Sequence, residues 1–226
     1  SRQADGIVVL SNRLDVDTVG ALRSQATPFV LIGHPPVDYQ DISWIDADNA
    51  HWTAVAVDRL IELGHRRVAF VGGDPDMLVT RERLDGYRHA MQRAELAIDP
   101  HWIDFGYFAE DGGYQAVNRM LPLQEQAPTA YYAANDLMAV GILRALREHG
   151  VAVPAQVSVI GTNDSAEATH VVPALTTLRV PYAAMAAKAA EILIQQILCE
   201  EEAQPVQQYI ACELIERSST GALLCV

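Results

Sequence analysis

The chain has 226 residues, 50% of them hydrophobic and 20% charged, which is typical of a globular protein with one large domain or two small ones. Its formal net charge of −13 and its pI near 4.8 argue against nucleic-acid binding by this chain itself, because an acidic surface repels phosphate. Its apolar runs are far shorter than a membrane span and its start, Ser1–Asp5, is polar, so we expect neither a membrane segment nor a signal peptide.

Short apolar runs alternate along the chain with segments of helical period. In chain order, the predicted strands are Gly6–Leu10, Phe29–Ile32, Arg67–Val71, Ile103–Tyr107, Ala130–Ala133, Val157–Ile160 and Gln208–Leu214. The predicted helices are Asp17–Gln25, His51–His65, Thr80–Glu95, Asp111–Leu121, Asn135–Gly150 and Tyr182–Glu200. Strands this short and apolar suit a buried parallel sheet, and their alternation with helices predicts a doubly wound α/β fold.

Two extended stretches interrupt this alternation, at Ser43–Asn49 and Leu175–Tyr182. Neither has the pattern of a helix or of a buried strand. Extended stretches between α/β units can carry the chain from one sheet to another, so we interpret both as crossovers.

Residues at the carboxyl ends of the predicted strands are the first candidates for a binding site, because open α/β sheets bind ligands there. They are Ser11, Asn12, Gly33, His34, Gly73, Asp74, Phe108, Asn135, Asp136, Asn163 and Asp164. Several of these positions also have a purely structural interpretation. Asn135 and Asp136 are both favoured helix N-caps, worth about 1 kcal/mol, so one could cap while the other faces a ligand.

The same ambiguity holds for other candidates. Asn163 and Asp164 form a common turn pair, and Phe108 could be core packing at a strand end. By helical period alone, Arg83 is a solvated arginine paired with Glu82 or Asp85.

Patterns that carry catalysis or metal binding are not evident. Asp46 and Asp48 form a carboxylate pair such as a glycosidase needs, but hydrogen-bonding carboxylates in a crossover are the favoured interpretation. The sequence has no GxSxG or HExxH motif, and "VGGDPD" is not a phosphate-binding loop. Cys199, Cys212 and Cys225 lack zinc spacing and fit reduced thiols in the cytoplasm. We therefore expect no enzyme, no metal and no cofactor.

A series of motifs resembles one family in collinear order over nearly the whole chain. The motifs are "DGIVVLS" from Asp5, "TPFVLIG" from Thr27, "DADNAHWTAVAVDRLIELGHRRVAFVGG" from Asp46, "RERLDGYRHAM" from Arg81, "PTAYYAANDLMAVGILRALREHGVAVPAQVSVIGTND" from Pro128, "PALTTLRVPYAAMAAKAAEILI" from Pro173 and "ERSST" from Glu216. Together they resemble the regulatory domain of the lactose/galactose-repressor (LacI/GalR) family of bacterial transcription factors. The stretch from "LSNRL" to "IDADN" is similar to the maltose-regulator branch.

The resemblance implies two α/β subdomains of periplasmic-binding-protein-like type, joined by three crossovers, with a small effector between them. The N-terminal subdomain would comprise residues 1–49 and 179–204, and the C-terminal subdomain residues 50–174 and 206–216. Family members carry a helix-turn-helix headpiece, a hinge and about two strand-helix units before the motif that matches "DGIVV". The resemblance therefore implies that the first subdomain is incomplete at its N-terminus and that the DNA-binding headpiece is absent from this chain.

The family's effector contacts map onto several of the candidates above. Arg83 resembles the family arginine that forks onto effector oxygens, which suits vicinal hydroxyls of a sugar. Asn163 stands where relatives carry a carboxylate, and an amide also binds hydroxyls. Phe108 and Tyr182 match aromatic positions. The predicted ligand-binding residues are thus Arg83, Asn135, Asp136, Asn163, Asp164, Phe108, Tyr182 and Asp48.

The function implied is that of an effector-sensing domain of a transcriptional repressor. The expected partners are a small polar effector, with a sugar such as maltose or another glucoside favoured, operator DNA through the absent headpiece, and a second copy in a cytoplasmic homodimer. Met77 and Val79 lack the polar groups that a purine-type repressor has at matching positions, which argues against a purine effector. The alternative is a periplasmic-type sugar-binding protein of a transporter.

Overall fold

The computed structural model describes residues 4–10, 15–25, 27–37, 39–198 and 204–223. The chain forms two compact units and crosses between them after Asp48, Val180 and Ala211. The first unit is Ser1–Asp48 with Pro181–Ala211, and the second is Asn49–Val180 with Cys212–Val226. The predicted α/β architecture of two units joined by three crossovers is therefore confirmed.

Strands and helices alternate through both units. Within the described residues, the strands are β1 (Ile7–Leu10), β2 (Phe29–Ile32), β3 (Ser43–Asp46), β4 (Val68–Gly72), β5 (Ile103–Phe105), β6 (Ala130–Ala133), β7 (Ser158–Thr162), β8 (Thr176–Arg179), β9 (Gln207–Tyr209) and β10 (Glu213–Ile215). The α-helices are α1 (Val16–Arg23), α2 (Asn49–Glu62), α3 (Leu78–Arg93), α4 (Glu110–Met120), α5 (Asp136–Glu148), α6 (Ala166–His170) and α7 (Tyr182–Leu198).

The first unit has a parallel sheet in the order β1-β2-β3-β9. Helix α1 packs its Val19 against Leu31 and Ile42, and the three side chains form a small buried cluster. On α7, Gln196 donates from Nε2 to Ser43 Oγ at 2.9 Å, which attaches this helix to β3.

The second unit has a larger sheet in the order β10-β8-β7-β6-β4-β5, in which only β10 is antiparallel to its neighbour. Every residue of β4, β6 and β7 is buried. This burial explains the uninterrupted apolar runs of β4 and β6, since a parallel strand covered on both faces has no polar side.

Three expectations about the strands are wrong. Ser43–Asp46 and Thr176–Arg179 are strands of the two sheets and not only crossovers, and their polar residues concealed this. The single strand predicted at Gln208–Leu214 is two strands, because the chain crosses between units after Ala211. β9 pairs with β3 in the first unit, so its assignment to the C-terminal subdomain is corrected, whereas β10 pairs with β8 in the second unit.

Helices α2 and α3 approach each other closely in the second unit. A Cβ atom added at Gly86 of α3 would overlap the backbone carbonyl of Ala50 in the first turn of α2. Glycine at position 86 therefore allows the start of α2 to lie directly against α3.

Candidate functional site

The second unit gathers the candidate residues at one edge of its sheet. We call the residues that follow β4, β5, β6 and β7 the carboxyl edge; they are Gly73–Asp74, Tyr107–Phe108, Ala134–Asn135 and Asn163–Asp164. Strands β4 and β6 are neighbours, yet the chain leaves β4 for β5 on the other side before it returns to β6. Such a switch point is where doubly wound sheets open a crevice for ligands.

Arg83 of α3 lies beside this switch point. Its side chain is only 6% exposed. Nε and Nη2 donate to Asn49 Oδ1 at 3.2 and 3.1 Å, and Nη1 donates to the backbone carbonyl of Ala134, which follows β6. These bonds fix the guanidinium and leave two N–H groups on the Nη atoms without a partner among the described residues.

The interpretation of Arg83 as a solvated surface arginine is wrong. It bonds to neither of the acidic neighbours that the helical period offered, and Asp85 pairs instead with the Arg88 guanidinium at 3.5 Å. Hydrogen bonds from its guanidinium to α2 and to the residue after β6 hold the Arg83 side chain in a buried position.

Asn135 is the residue that caps α5. Its Oδ1 accepts from the Met138 backbone N–H at 2.9 Å, and its Nδ2 donates to the Phe108 carbonyl at 2.9 Å. One amide side chain thus starts a helix and holds the turn after β5. Its further role as a ligand contact remains a prediction.

Asp136 follows the cap and is buried, with 1% exposure. Its Oδ1 accepts from Thr177 Oγ1 at 2.6 Å and its Oδ2 from the Ser165 backbone N–H at 2.7 Å. Burial raises the pKa of Asp136 above its ordinary value, and the bonds from Thr177 and Ser165 oppose that rise. In this arrangement the carboxyl group ties α5 to β8 and to the loop after β7, and contact with a ligand would require it to share these bonds.

Asn163 and Asp164 form a strained turn, with backbone φ angles of 113° and 55°. Asp164 accepts from Arg179 Nε at 2.7 Å and from Arg217 Nη2 at 2.5 Å. Burial would raise the pKa of Asp164, but the hydrogen bonds and charges of Arg217 and Arg179 outweigh it and hold the pKa below its ordinary value. The turn is therefore fixed by two arginines that the sequence did not associate with it.

A second left-handed pair lies at the same edge, where Tyr107 and Phe108 have φ angles of 53° and 60°. The ring of Phe108 lies directly over Gly73, where any Cβ atom would overlap it, and it also packs on the core. Non-glycine residues with positive φ are uncommon and concentrate at functional sites. Two such pairs at one sheet edge therefore mark it as a candidate site.

The remaining candidates belong to the first unit. Tyr182 begins α7 and is 46% exposed, and Asp48 is the last residue before the first crossing. Asp46 accepts from both the backbone N–H and the Nδ1 of His34, at 3.0 and 2.8 Å, which occupies one carboxylate of the glycosidase-like pair. Ser11, Asn12, Cys199 and Cys225 lie outside the described residues.

The sequence did not indicate Asn49, Thr177 or Arg217, although each fixes a candidate side chain. Only Asn49 carried a usable signal, as the polar residue before a predicted helix. Across the described ranges, no cluster of three or more His, Cys, Asp or Glu could hold a metal ion. None of the helices in this part of the chain is long and apolar enough to cross a membrane.

His65 lies at the opposite end of the sheet, fully buried, with Nδ1 3.1 Å from Thr129 Oγ1 and Nε2 2.8 Å from Ser158 Oγ. A histidine at the end of a helix would be stabilised in its charged form by the helix dipole, but the His65 ring is buried between two hydroxyl groups instead. Burial lowers the pKa of His65, against a smaller opposing effect of the Gly221 backbone.

This lowered pKa predicts that acid weakens the fold. Below about pH 6.5, His65 binds a proton in the unfolded chain, whereas the buried ring of the folded chain binds one only at a lower pH. The free energy of unfolding therefore has its full value above about pH 6.5 and decreases as the pH falls. Urea unfolding at pH 7.5 and 5.5 should show a smaller pH dependence in His65→Gln than in the wild type. His89→Gln, on the exposed face of α3, is the control, and equal pH dependence in all three proteins would contradict the prediction.

Comparison with known proteins agrees with the fold described above. Residues 57–220 match the family model described as a periplasmic binding protein-like domain. The chain is 34% identical to the PurR transcriptional repressor of Haemophilus influenzae over 99% of this chain and 66% of the repressor, so it spans slightly less than two thirds of that relative. A solved LacI transcriptional regulator from Bacillus cereus has a TM-score of 0.90 and 33% identity, covering 96% of this chain and 77% of that one.

A third similar structure is the CelR regulator in complex with cellobiose, with a TM-score of 0.88, 35% identity, and coverage of 96% of this chain and 66% of that chain. The fold is that of a periplasmic-binding-protein-like domain. The chain belongs to the LacI family of transcriptional regulators. Since these relatives are regulators, the alternative of a transporter's sugar-binding protein is set aside.

Proposed function

We propose that this chain is the effector-sensing domain of a bacterial transcriptional repressor and that a small polar ligand, a sugar, binds at the carboxyl edge of its second unit. The observation that carries the proposal is the buried Arg83, whose guanidinium is fixed by Asn49 and Ala134 and retains two N–H donors. A rigid planar fork of charged donors suits adjacent hydroxyl oxygens on a sugar ring.

The other predicted contacts complement this fork. Within the second unit, Asn135 and Asn163 offer both a donor and an acceptor for hydroxyl groups, and Phe108 offers an aromatic face. Asp136 and Asp164 are carboxylates that could accept from further hydroxyls by sharing their present bonds. Tyr182 and Asp48, which belong to the first unit, remain predicted ligand contacts. The CelR relative that is solved with cellobiose makes a glucoside the first candidate, and maltose remains a candidate from the similarity to the maltose-regulator branch.

In the whole protein, we propose that the ligand controls operator binding by a helix-turn-helix headpiece in a cytoplasmic homodimer. A ligand can shift such a regulator only by the difference between its affinities for two conformations. The site residues therefore act by binding and not by catalysis. A dimer would also match the two half-sites of an operator.

A thermal-shift panel on the protein with its flanking sequences tests the proposal. The panel contains cellobiose, maltose, a galactoside, a sugar phosphate and hypoxanthine. One sugar should raise the melting temperature saturably, because a ligand that binds only the folded state at about 100 times its Kd adds about 2.7 kcal/mol. A response to hypoxanthine alone, or to none of the compounds, would contradict a sugar effector.

A further inference from the structure

We propose that Asn49 is a positioning residue for the effector site, which holds the Arg83 fork in the orientation that receives the ligand. The inference rests on the proposed function and extends it to a residue that follows the first crossing of the chain between units. It is drawn from a set of contacts that joins the first residue of α2 to consecutive residues of α3.

The contacts of Asn49 fix the orientation of its side-chain amide. Its Oδ1 accepts from both Nε and Nη2 of Arg83, and its Nδ2 donates to Glu82 Oε2 at 3.1 Å. An ionised carboxylate can only accept, so Glu82 fixes the amide nitrogen on its own side and leaves the oxygen facing Arg83.

The bonds from Arg83 to Asn49 determine which guanidinium N–H groups remain available to a ligand. Asn49 occupies the edge formed by Nε and Nη2, while the Ala134 carbonyl occupies one N–H of Nη1. The unused donors are then confined to the two Nη atoms. Without Asn49, the long side chain would regain rotamer freedom, and a ligand would have to restore that order at a cost in affinity.

The position of Asn49 depends on the close packing of the two helices. The backbone carbonyl of the next residue, Ala50, lies against Gly86, one turn along α3 from Arg83. The start of α2, where the chain enters the second unit, therefore positions Asn49 and, through Asn49, the Arg83 guanidinium.

The test compares Asn49→Leu, which has a similar size but no hydrogen bonds, with Asn49→Asp made in a Glu82→Gln background, which keeps an oxygen facing Arg83 and an amide donor on the other side. The first readout needs no ligand. It is the ¹⁵Nε–Hε resonance of Arg83, assigned by its loss in Arg83→Lys. This resonance should shift and exchange faster with water in Asn49→Leu, and it should remain protected in Asn49→Asp.

The second readout is calorimetric affinity for cellobiose, or for the sugar with the largest thermal shift. Asn49→Leu should weaken binding by about tenfold or more, the effect of losing roughly one hydrogen bond to a charged group. Asn49→Asp should recover part of that loss. Asn118→Leu is the control, since Asn118 contacts His149 on the surface and should change neither readout.

The outcomes separate the two proposals. An unchanged Arg83 resonance in Asn49→Leu, or unchanged affinity, overturns the positioning role. If the wild type binds no compound in the panel, the sugar-sensor proposal fails, and the resonance alone then decides whether Asn49 orders Arg83.

Discussion

Arg83→Lys should weaken effector binding by about 100-fold while the chain remains folded. Lysine keeps the charge, but its ammonium cannot present a planar fork to two ligand oxygens and also satisfy Asn49 and Ala134. Charge-assisted hydrogen bonds are worth about 1.5–3 kcal/mol each, and 100-fold corresponds to about 2.7 kcal/mol. Isothermal titration with the sugar identified in the thermal-shift panel measures the change.

The matched control for this substitution is Arg88→Lys, on the same helix. The Arg88 side chain is 47% exposed and pairs with Asp85, so its replacement should leave affinity within about twofold. Circular dichroism of both variants should match that of the wild type. Equal affinities of Arg83→Lys and Arg88→Lys would remove Arg83 from the binding site.

Gly86→Ala should destabilise the second unit by about 3 kcal/mol, because the new methyl group would overlap the Ala50 carbonyl and force α2 away from α3. The same movement would pull Asn49 from Arg83, so ligand affinity should also fall. Urea unfolding gives the change in stability.

Gly20→Ala is the control for this prediction, since it makes the same change inside α1. A Cβ atom at Gly20 meets nothing within 4 Å, so alanine should be neutral or stabilise by up to about 1 kcal/mol through its higher helix propensity. If Gly86→Ala behaved like Gly20→Ala, the close helix contact would not exist in solution.

The central strands β4 and β6 of the second unit could be predicted because they are runs of consecutive apolar residues that are buried on both faces. Ala130–Ala133 is a strand with the predicted bounds, and Phe29–Ile32 in the first unit is another. β3 was not predicted because its residues alternate between buried and half-buried positions and include polar Ser43 and Asp46. The division of Gln208–Leu214 into two strands depends on pairing with β3 and β8, which are distant in sequence.

In the candidate site too, contacts between residues distant in sequence could not be predicted from local patterns. The helix cap at Asn135 is a local feature, and the sequence indicated it. The burial of Arg83 is not local, because its partners lie 34 and 51 residues away, and a helical period carries no information about them. Likewise, the residues that engage the carboxylates of Asp136 and Asp164 include Thr177 and Arg217, 41 and 53 residues away.

The most direct test of a ligand site at the carboxyl edge is a crystal structure with the sugar that gives the largest thermal shift. We expect sugar hydroxyl oxygens within about 3 Å of the Arg83 Nη atoms, with Asn49 Oδ1 still bonded to Nε. A sugar bound elsewhere on the protein, with the Arg83 guanidinium contacting only protein atoms, would contradict it.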